Sequence, residues 1–138
     1  MTQTEKEILL RDLCMRLPHD VVMATGYGKG ILTSIRVNDS NEKLGINVDP
    51  VLTRLFNVNE VKPYLFPLSS MTEEQKADCP IGETNLNIII SNIGCYGIIE
   101  MPWRLSFLFV DWCNKNHFDY RGLIPLNLAN DATGKNIY

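Results

Sequence analysis

Residues 25–34 read TGYGKGILTS, and the interpretation of this stretch decides the fold of the first half of the chain. Three glycines, a lysine and several hydroxyl residues are typical of a phosphate-binding loop. A loop of the Walker type needs a hydroxyl residue directly after the lysine, followed by a helix. Here Lys29 is followed by Gly30, and the residues beyond alternate like a strand. The stretch therefore predicts a hairpin turn, in which Gly26, Gly28 and Gly30 supply positive φ angles.

Strands are predicted on both sides of this turn. Residues 31–37 and 44–48 alternate with a period of two, and the turn-forming stretch NDSNE lies between them. Residues 21–25 supply a partner strand before the turn. The side chains predicted to share one face of the first alternating strand are Ile31, Thr33, Ile35 and Val37. The pattern predicts a three-stranded antiparallel meander or a partly open barrel.

Helices are predicted on either side of the strands. Thr4 and Glu7 form a capping box ahead of an apolar stripe that stops at Pro18, which predicts a helix over 5–16. Another helix starts at Pro102. Its apolar stripe consists of Leu105, Leu108, Phe109 and Trp112. With no linker or repeat, residues 1–138 are predicted to form one α+β domain, with an N-terminal helix, a small meander or barrel, and a C-terminal helix packed on the sheet.

The stretch between residues 49 and 67 contains three prolines. Asp49 is a residue type that caps helices, and Pro50 follows it at the position favoured for proline, which predicts a short helix through Phe56. Residues 62–67 (KPYLFP) carry two prolines, each without a backbone donor. We therefore predict extended or irregular backbone there and not an interior strand.

Three more elements are predicted between residues 70 and 100. Ser70 with Glu73, or Thr72 with Gln75, forms a capping box for a short helix that Pro80 ends. Residues 86–91 (LNIIIS) and 96–100 are predicted to be strands, because the isoleucine-rich run favours extended backbone.

Composition restricts the class of protein. The chain has 138 residues, 45% of them hydrophobic and 21% charged, and a net charge of −3, values ordinary for a globular domain. The four cysteines lack zinc-site spacing, and the close pair Cys113 and His117 does not complete a tetrahedral site. We therefore predict reduced thiols, no metal and no cofactor. The start of the chain lacks a signal sequence and no apolar run spans a bilayer, which predicts a cytoplasmic protein that does not contact membranes.

Two stretches resemble segments of a known group of proteins. They are KPYLFPLSSMTEEQ (62–75) and VDWCNKNHFDYRGLIPLNLA (110–129), which together cover 34 residues. Both are similar to segments of short, uncharacterised proteins of Bacteroides-type bacteria, their prophages and mobile elements. The chain departs from that group after Gly122, where PLNLAND replaces charged residues. The resemblance implies a phage or mobile-element setting and implies no established activity.

Two candidate sites emerge, with different interpretations. Asp119, Tyr120 and Arg121 form either an internal lock, with the arginine paired to a carboxylate, or a recognition surface, because Tyr and Arg are frequent at interfaces. The alternative site is a surface around Tyr27, Lys29 and Arg36, which needs these residues to share one face.

Three classes of function remain open on this evidence. The first is a non-catalytic adaptor that binds a protein partner or itself through a sheet edge or the Tyr/Arg surface. The second is a nucleic-acid-binding small-barrel regulator, which the pI of about 5.3 disfavours. The third is a small enzyme, which needs His19 or His117 in a pocket beside an acid or a cysteine, and which no catalytic motif favours.

Overall fold

A computed structural model of the chain describes residues 1–38, 41–49, 52–91 and 103–138. These residues form an α+β structure with a mixed seven-stranded sheet that is not closed into a barrel, so the predicted class is confirmed. The helices are α1 Gln3–Arg16, α2 Glu73–Asp78, α3 Glu83–Ser91 and α4 Trp103–Lys115. The strands are β1 Val22–Thr25, β2 Gly28–Asn38, β3 Asn41–Asp49, β4 Leu52–Phe56, β5 Lys62–Pro67, β6 Phe118–Asp119 and β7 Asn130–Asp131.

The glycine-rich stretch is the hairpin turn predicted from the sequence. Strands β1 and β2 pair antiparallel, with Thr25 opposite Gly28, so the turn is only two residues long. The prediction of three positive φ angles is wrong at two positions, because among the three glycines only Gly28 has one, at 112°. Gly30 has a different role. A Cβ there would lie 2.6 Å from the backbone oxygen of Asn47, so a side chain does not fit.

Strands β1 to β4 form an antiparallel meander, but the predicted faces of β2 are partly wrong. Leu32 is buried, whereas Ile31 is 40% exposed. The register shifts between Leu32 and Ser34, where a β-bulge adds one residue to β2. The extra residue resets the alternation, so that Leu32 before the bulge and Ile35 after it lie on the same face as the core.

Helix α1 covers one face of this meander, which we call the covered face. The helix begins two residues earlier than predicted, because Thr2 and Glu5, rather than Thr4 and Glu7, form the capping box. Both pairs have the same spacing, and the earlier one adds further backbone hydrogen bonds to the helix. Leu9 and Leu13 are fully buried in the core formed with the sheet. On the opposite face of the meander, Lys29, Ile31 and Arg36 of β2 are exposed.

The predicted helix over residues 50–56 is wrong where the structure describes it. Strand β4 pairs antiparallel with β3, and its Phe56 lies opposite Leu44. Phe56 is 5% exposed and belongs to the core beneath α1. The core contact of Phe56 therefore outweighs the local helix-start signal, and Pro50 itself lies outside the described residues.

The prediction of extended backbone for residues 62–67 is confirmed, but the prediction that they do not form an interior strand is wrong, because β5 is one. It pairs antiparallel with β1 on one side and parallel with the two-residue strands β6 and β7. The prolines are accommodated because the ladder with β1 is short: it pairs only Met23 with Pro63 and Ala24 with Lys62. The hydroxyl of Tyr138 replaces the next ladder bond, since it accepts from the Val22 N–H at 3.0 Å and donates to the Tyr64 carbonyl at 2.7 Å.

Of the two short helices that follow β5, α2 was predicted correctly and α3 was predicted to be a strand. Thr72 and Gln75 form the capping box of α2, as one of the two predicted alternatives. Residues 86–91 belong to helix α3 instead of a strand. Leu86 and Ile89 are buried three positions apart, which is helical spacing, so packing overrides the strand preference of isoleucine. The strand predicted at 96–100 lies outside the described residues.

Helix α4 ends at Lys115 and packs beside β6 and α1. Its Phe109 is fully buried in a second core that also contains α3 residues and Phe118. Leu108, predicted for the same stripe, is 44% exposed. Within the described part of the chain, no helix has the length and apolar character needed to cross a membrane.

Candidate functional site

The first candidate site from the sequence, Asp119 to Arg121, lies around a buried ion pair. Asp12 and Arg16 lie one turn apart on α1, and both side chains are fully buried. Arg16 donates from Nε to Asp12 Oδ2 at 2.6 Å and from Nη2 to Asp12 Oδ1 at 3.2 Å. Arg16 Nη2 also donates to the backbone oxygen of Phe118 at 2.8 Å. The pair therefore ties α1 to β6.

Tyr120 and Arg121 enclose this ion pair. Arg121 Nε lies 3.2 Å from Asp12 Oδ1, so one carboxylate is shared by two guanidinium groups. The guanidinium carbons of Arg16 and Arg121 both lie 5.2 Å from the centre of the Tyr120 ring. Burial raises the pKa of Tyr120, which keeps its hydroxyl protonated. The arginine thus has the carboxylate partner expected for an internal lock.

Asp119 has a separate role in the same segment. It is 2% exposed, and its two oxygens accept from the backbone N–H groups of Leu123 and Ile124 at 2.9 and 2.8 Å. Burial raises the pKa of Asp119, although both backbone donors oppose the shift. A half-open cavity of about 240 Å³ adjoins Asp119, and most of its lining is apolar. Because both carboxylate oxygens already accept hydrogen bonds, Asp119 acts as the cap of the turn that follows β6.

The ring of His117 packs against an aromatic side chain. His117 has a left-handed backbone, with φ of 63°, and its ring stacks on Tyr138 at 3.7 Å between centres. Burial, assisted by the charge of Arg16, lowers the pKa of His117 to about 4. Burial also raises the pKa of the Cys113 thiol far above its usual range. Among the described residues, no group of three His, Cys, Asp or Glu side chains is placed to hold a metal ion.

The second candidate site lies on the face of the meander opposite α1. Lys29 and Arg36 are seven positions apart, so a regular strand would place them on opposite faces. The bulge between Leu32 and Ser34 brings them to the same face, away from the core. Lys43 and Lys62 point to that face as well, because their neighbours Leu44 and Pro63 are buried. We call this surface, which carries Lys29, Arg36, Lys43 and Lys62, the basic face.

One end of the basic face is a row that crosses three strands. Ala24 of β1 lies opposite Lys29 of β2 on one side and Lys62 of β5 on the other. Lys29 Nζ is 5.7 Å from the ring centre of Tyr64, which points to the same face. Lys62 Nζ donates to Asn127 Oδ1 at 2.8 Å. The small side chain of Ala24 leaves room between two lysines and an aromatic ring.

The other end of the basic face holds two like charges in direct opposition. Arg36 of β2 lies opposite Lys43 of β3. Lys43 donates to the uncharged Asn57 Oδ1 at 2.7 Å, and no ion pair involves Arg36 or Lys43 among the described residues. Like charges opposite each other on a sheet are destabilising. This arrangement therefore costs the fold stability without an evident structural gain.

Tyr27, the third residue of this predicted site, does not join the basic face. Its ring lies 6.0 Å from that of Phe56 and 4.4 Å from the Arg54 guanidinium carbon. Arg54 and Phe56 lie opposite the buried residues Ile46 and Leu44, so they point to the covered face. Tyr27 is 67% exposed at the tip of the hairpin and leans to that side. The structure brings Lys29 and Arg36 together and leaves Tyr27 apart.

These features define the class of protein: an α+β fold whose sheet is covered by α1 on one side and carries exposed basic side chains on the other. Among the strand side chains that the structure describes, none on the basic face is acidic, although the chain as a whole has a net charge of −3. Comparison of the chain with protein-family models, curated proteins and solved structures gave no match. The function is therefore inferred from the geometry of this surface.

Sequence reasoning missed Lys43, Lys62 and Tyr64 at this site and missed the buried pair of Asp12 and Arg16. A signal for the buried pair was present, since an acid and an arginine one turn apart flank the apolar Leu13 on a helix. The bulge had no such signal. A strict period of two along the sequence would place Lys29 and Arg36 on opposite faces. Only the register of β2 against β3, which contains the bulge, shows that they lie on one face.

Proposed function

We propose that this protein is a non-catalytic binding module that binds an acidic partner through the basic face. The observation that supports the proposal is the opposition of Arg36 and Lys43, with the Arg36 side chain exposed and the Lys43 side chain half-buried. Two like charges held side by side favour an anionic ligand that neutralises both. The predicted setting, an accessory protein of a phage or mobile element, is compatible with such a module and stays a prediction.

The position of the bases within the sheet also supports a ligand that lies across the strands. The four bases belong to β2, β3 and β5, each of which pairs with a strand on both sides. A peptide added to the free edge of β4 would be separated by β4 from β3, the strand that carries Lys43. It lies about 15 Å from the strand of Lys29, because adjacent strands are about 4.8 Å apart. A partner that contacts all four bases therefore covers the face rather than extends the edge.

The substitution Arg36→Glu is expected to have opposite effects on stability and on binding. It replaces the repulsion with Lys43 by an attractive pair, so the free energy of unfolding rises by about 0.5 kcal/mol. Binding to heparin, used as a polyanion, weakens about 10-fold or more because one base is lost and a repelling charge is gained. Urea unfolding and elution salt concentration on a heparin column measure the two effects.

Arg11→Glu is the matched control, since it makes the same change of charge on the exposed side of α1. This variant is expected to elute close to the wild type. If Arg11→Glu and Arg36→Glu elute equally early, only net charge matters and the basic face is not the binding surface. Equal retention of Arg36→Glu and the wild type contradicts the proposal in the same way.

A second candidate function, self-association through the edge of the sheet, is favoured by strand β4. Among the described residues β4 pairs only with β3, and its Leu55 is 58% exposed. An unpaired edge with an exposed apolar side chain is suited to pairing with another strand. This candidate predicts a mass that doubles with rising protein concentration in light scattering. A constant monomer mass over the same range contradicts it.

A further inference from the structure

The basic face has features that distinguish among acidic partners. Its bases are not clustered at one point: Lys29 and Arg36 lie on the same strand about 20 Å apart, because six regular steps of about 3.3 Å separate them besides the bulge residue. The residues between them on this face include Ile31, which is 40% exposed, and Ser34, which lies opposite Gly45. A Cβ at Gly45 would overlap the Ser34 hydroxyl, so the Ser34 side chain occupies the space over Gly45. The result is a track with bases at both ends and with Ile31 and Ser34 between them.

An aromatic ring lies at one end of this track. Tyr64 is half-buried on β5, close to Lys62 and within 5.7 Å of Lys29 Nζ. No hydrogen bond of the Tyr64 hydroxyl is present among the described residues, so the ring has no structural anchor at its polar tip. Proteins that bind single-stranded nucleic acid combine a basic track for the phosphates with aromatic rings for the bases. An acidic peptide has no bases that could stack on the Tyr64 ring.

We propose that the acidic partner is a single-stranded nucleic acid, bound with its phosphates along the basic face and a base against Tyr64. This inference rests on the proposed function of the basic face and adds the chemical class of its ligand. A track about 20 Å long accommodates about four nucleotides, the lower end of the range for small modules. Duplex DNA fits less well, because its bases are not free to contact the ring.

Fluorescence anisotropy with labelled probes tests the inference. The probes are dT12, rU12, a 12-base-pair duplex and a polyglutamate of equal charge, each at several salt concentrations. The two single strands are expected to bind at least 10-fold more tightly than the duplex and the polyglutamate. Four phosphate contacts predict a slope of log K against log salt of about −3 for dT12, and the double variant Arg36→Gln with Lys43→Gln reduces this slope by about half.

The substitution Tyr64→Leu separates the base contact from the charge effect. It is expected to weaken dT12 binding at least 5-fold and to leave polyglutamate binding unchanged. Tyr27→Leu is the matched control, because that ring lies off the basic face, and it is expected to leave dT12 binding unchanged. The relative affinity of dT12 and rU12 shows whether DNA or RNA is preferred.

The possible failures of this inference are distinguishable from failure of the proposed function. Equal binding of polyglutamate and dT12, both weakened by Arg36→Glu, overturns the nucleic-acid inference and leaves the binding module standing with a protein partner. Tighter binding of the duplex overturns the single-strand inference in the same way. Absence of binding to all four probes and to heparin overturns both proposals.

Discussion

Replacing Asp12 by alanine is expected to lower the free energy of unfolding by about 3–5 kcal/mol. The substitution leaves the Arg16 guanidinium charged and fully buried without its carboxylate. One of its nitrogens, Nη1, already lacks a hydrogen-bond partner among the described residues, so the lost contacts have no local replacement. Arg121 loses the same partner. Urea unfolding followed by circular dichroism measures the effect.

Two further variants distinguish charge burial from loss of packing. Glu7→Ala, on the exposed side of the same helix, is expected to change stability by less than about 0.5 kcal/mol. Adding Arg16→Met to Asp12→Ala is expected to recover part of the lost stability, because the double variant buries no unpaired charge. A double variant that is less stable than Asp12→Ala alone contradicts this account, since it shows that packing rather than charge dominates.

The second large effect is a loss of stability between pH 6.5 and pH 4, caused by His117. Its pKa is about 4 in the folded protein, against the ordinary value of 6.5 for a histidine that is not buried. In this interval the unfolded chain binds a proton that the folded protein does not, so the free energy of unfolding falls as the pH falls. The separation of the two pKa values corresponds to about 3 kcal/mol, and because the ring is partly solvated we expect about 2 kcal/mol.

The substitution His117→Asn isolates this contribution, since asparagine tolerates the left-handed backbone at this position. Both proteins lose stability in acid through their carboxylates, so the informative quantity is the difference between them. Stability of the wild type relative to His117→Asn is expected to decline by about 2 kcal/mol from pH 7 to pH 4. Parallel stability curves for the two proteins contradict the assignment. A direct NMR titration of the histidine ring provides the same check.

The parts of the fold that could be predicted from sequence are those with strong local signals. The hairpin at Gly28, the presence of a strand on each side of it and the capping box at Thr72 each involve residues a few positions apart. Such local patterns restrict backbone geometry directly. The helical stripe around Phe109 is of the same kind. These elements are correct because no distant contact opposes them.

The wrong predictions occur where distant contacts outweigh local preference. Phe56 belongs to a strand because it packs opposite Leu44, although Pro50 marks a helix start. Residues 62–67 form an interior strand although they contain two prolines, and the Tyr138 hydroxyl, more than seventy positions away in sequence, replaces one ladder bond. Ile89 lies in a helix because the second core needs its spacing from Leu86. Local propensity does not contain this information.

The candidate sites likewise combine residues that could be predicted from the sequence with an arrangement that depends on distant contacts. Asp119, Tyr120 and Arg121 were identified from residue type alone, but whether they face solvent depends on Asp12, more than one hundred positions away. Lys29 and Arg36 were predicted as alternative site residues without a reason for them to share a face. The bulge in β2 supplies that reason. A bulge depends on the pairing of two strands, which a pattern within one strand does not reveal.

Backbone amide NMR of the protein, titrated with a short heparin oligosaccharide, tests most directly whether the basic face is the binding surface. We predict that the largest chemical-shift changes occur at Lys29, Arg36, Lys43 and Lys62 and their neighbours, with the amides of α1 unchanged. Shift changes centred on α1 or α4 would contradict the account. Changes confined to β4 that grow with protein concentration would also contradict it and favour self-association through the edge.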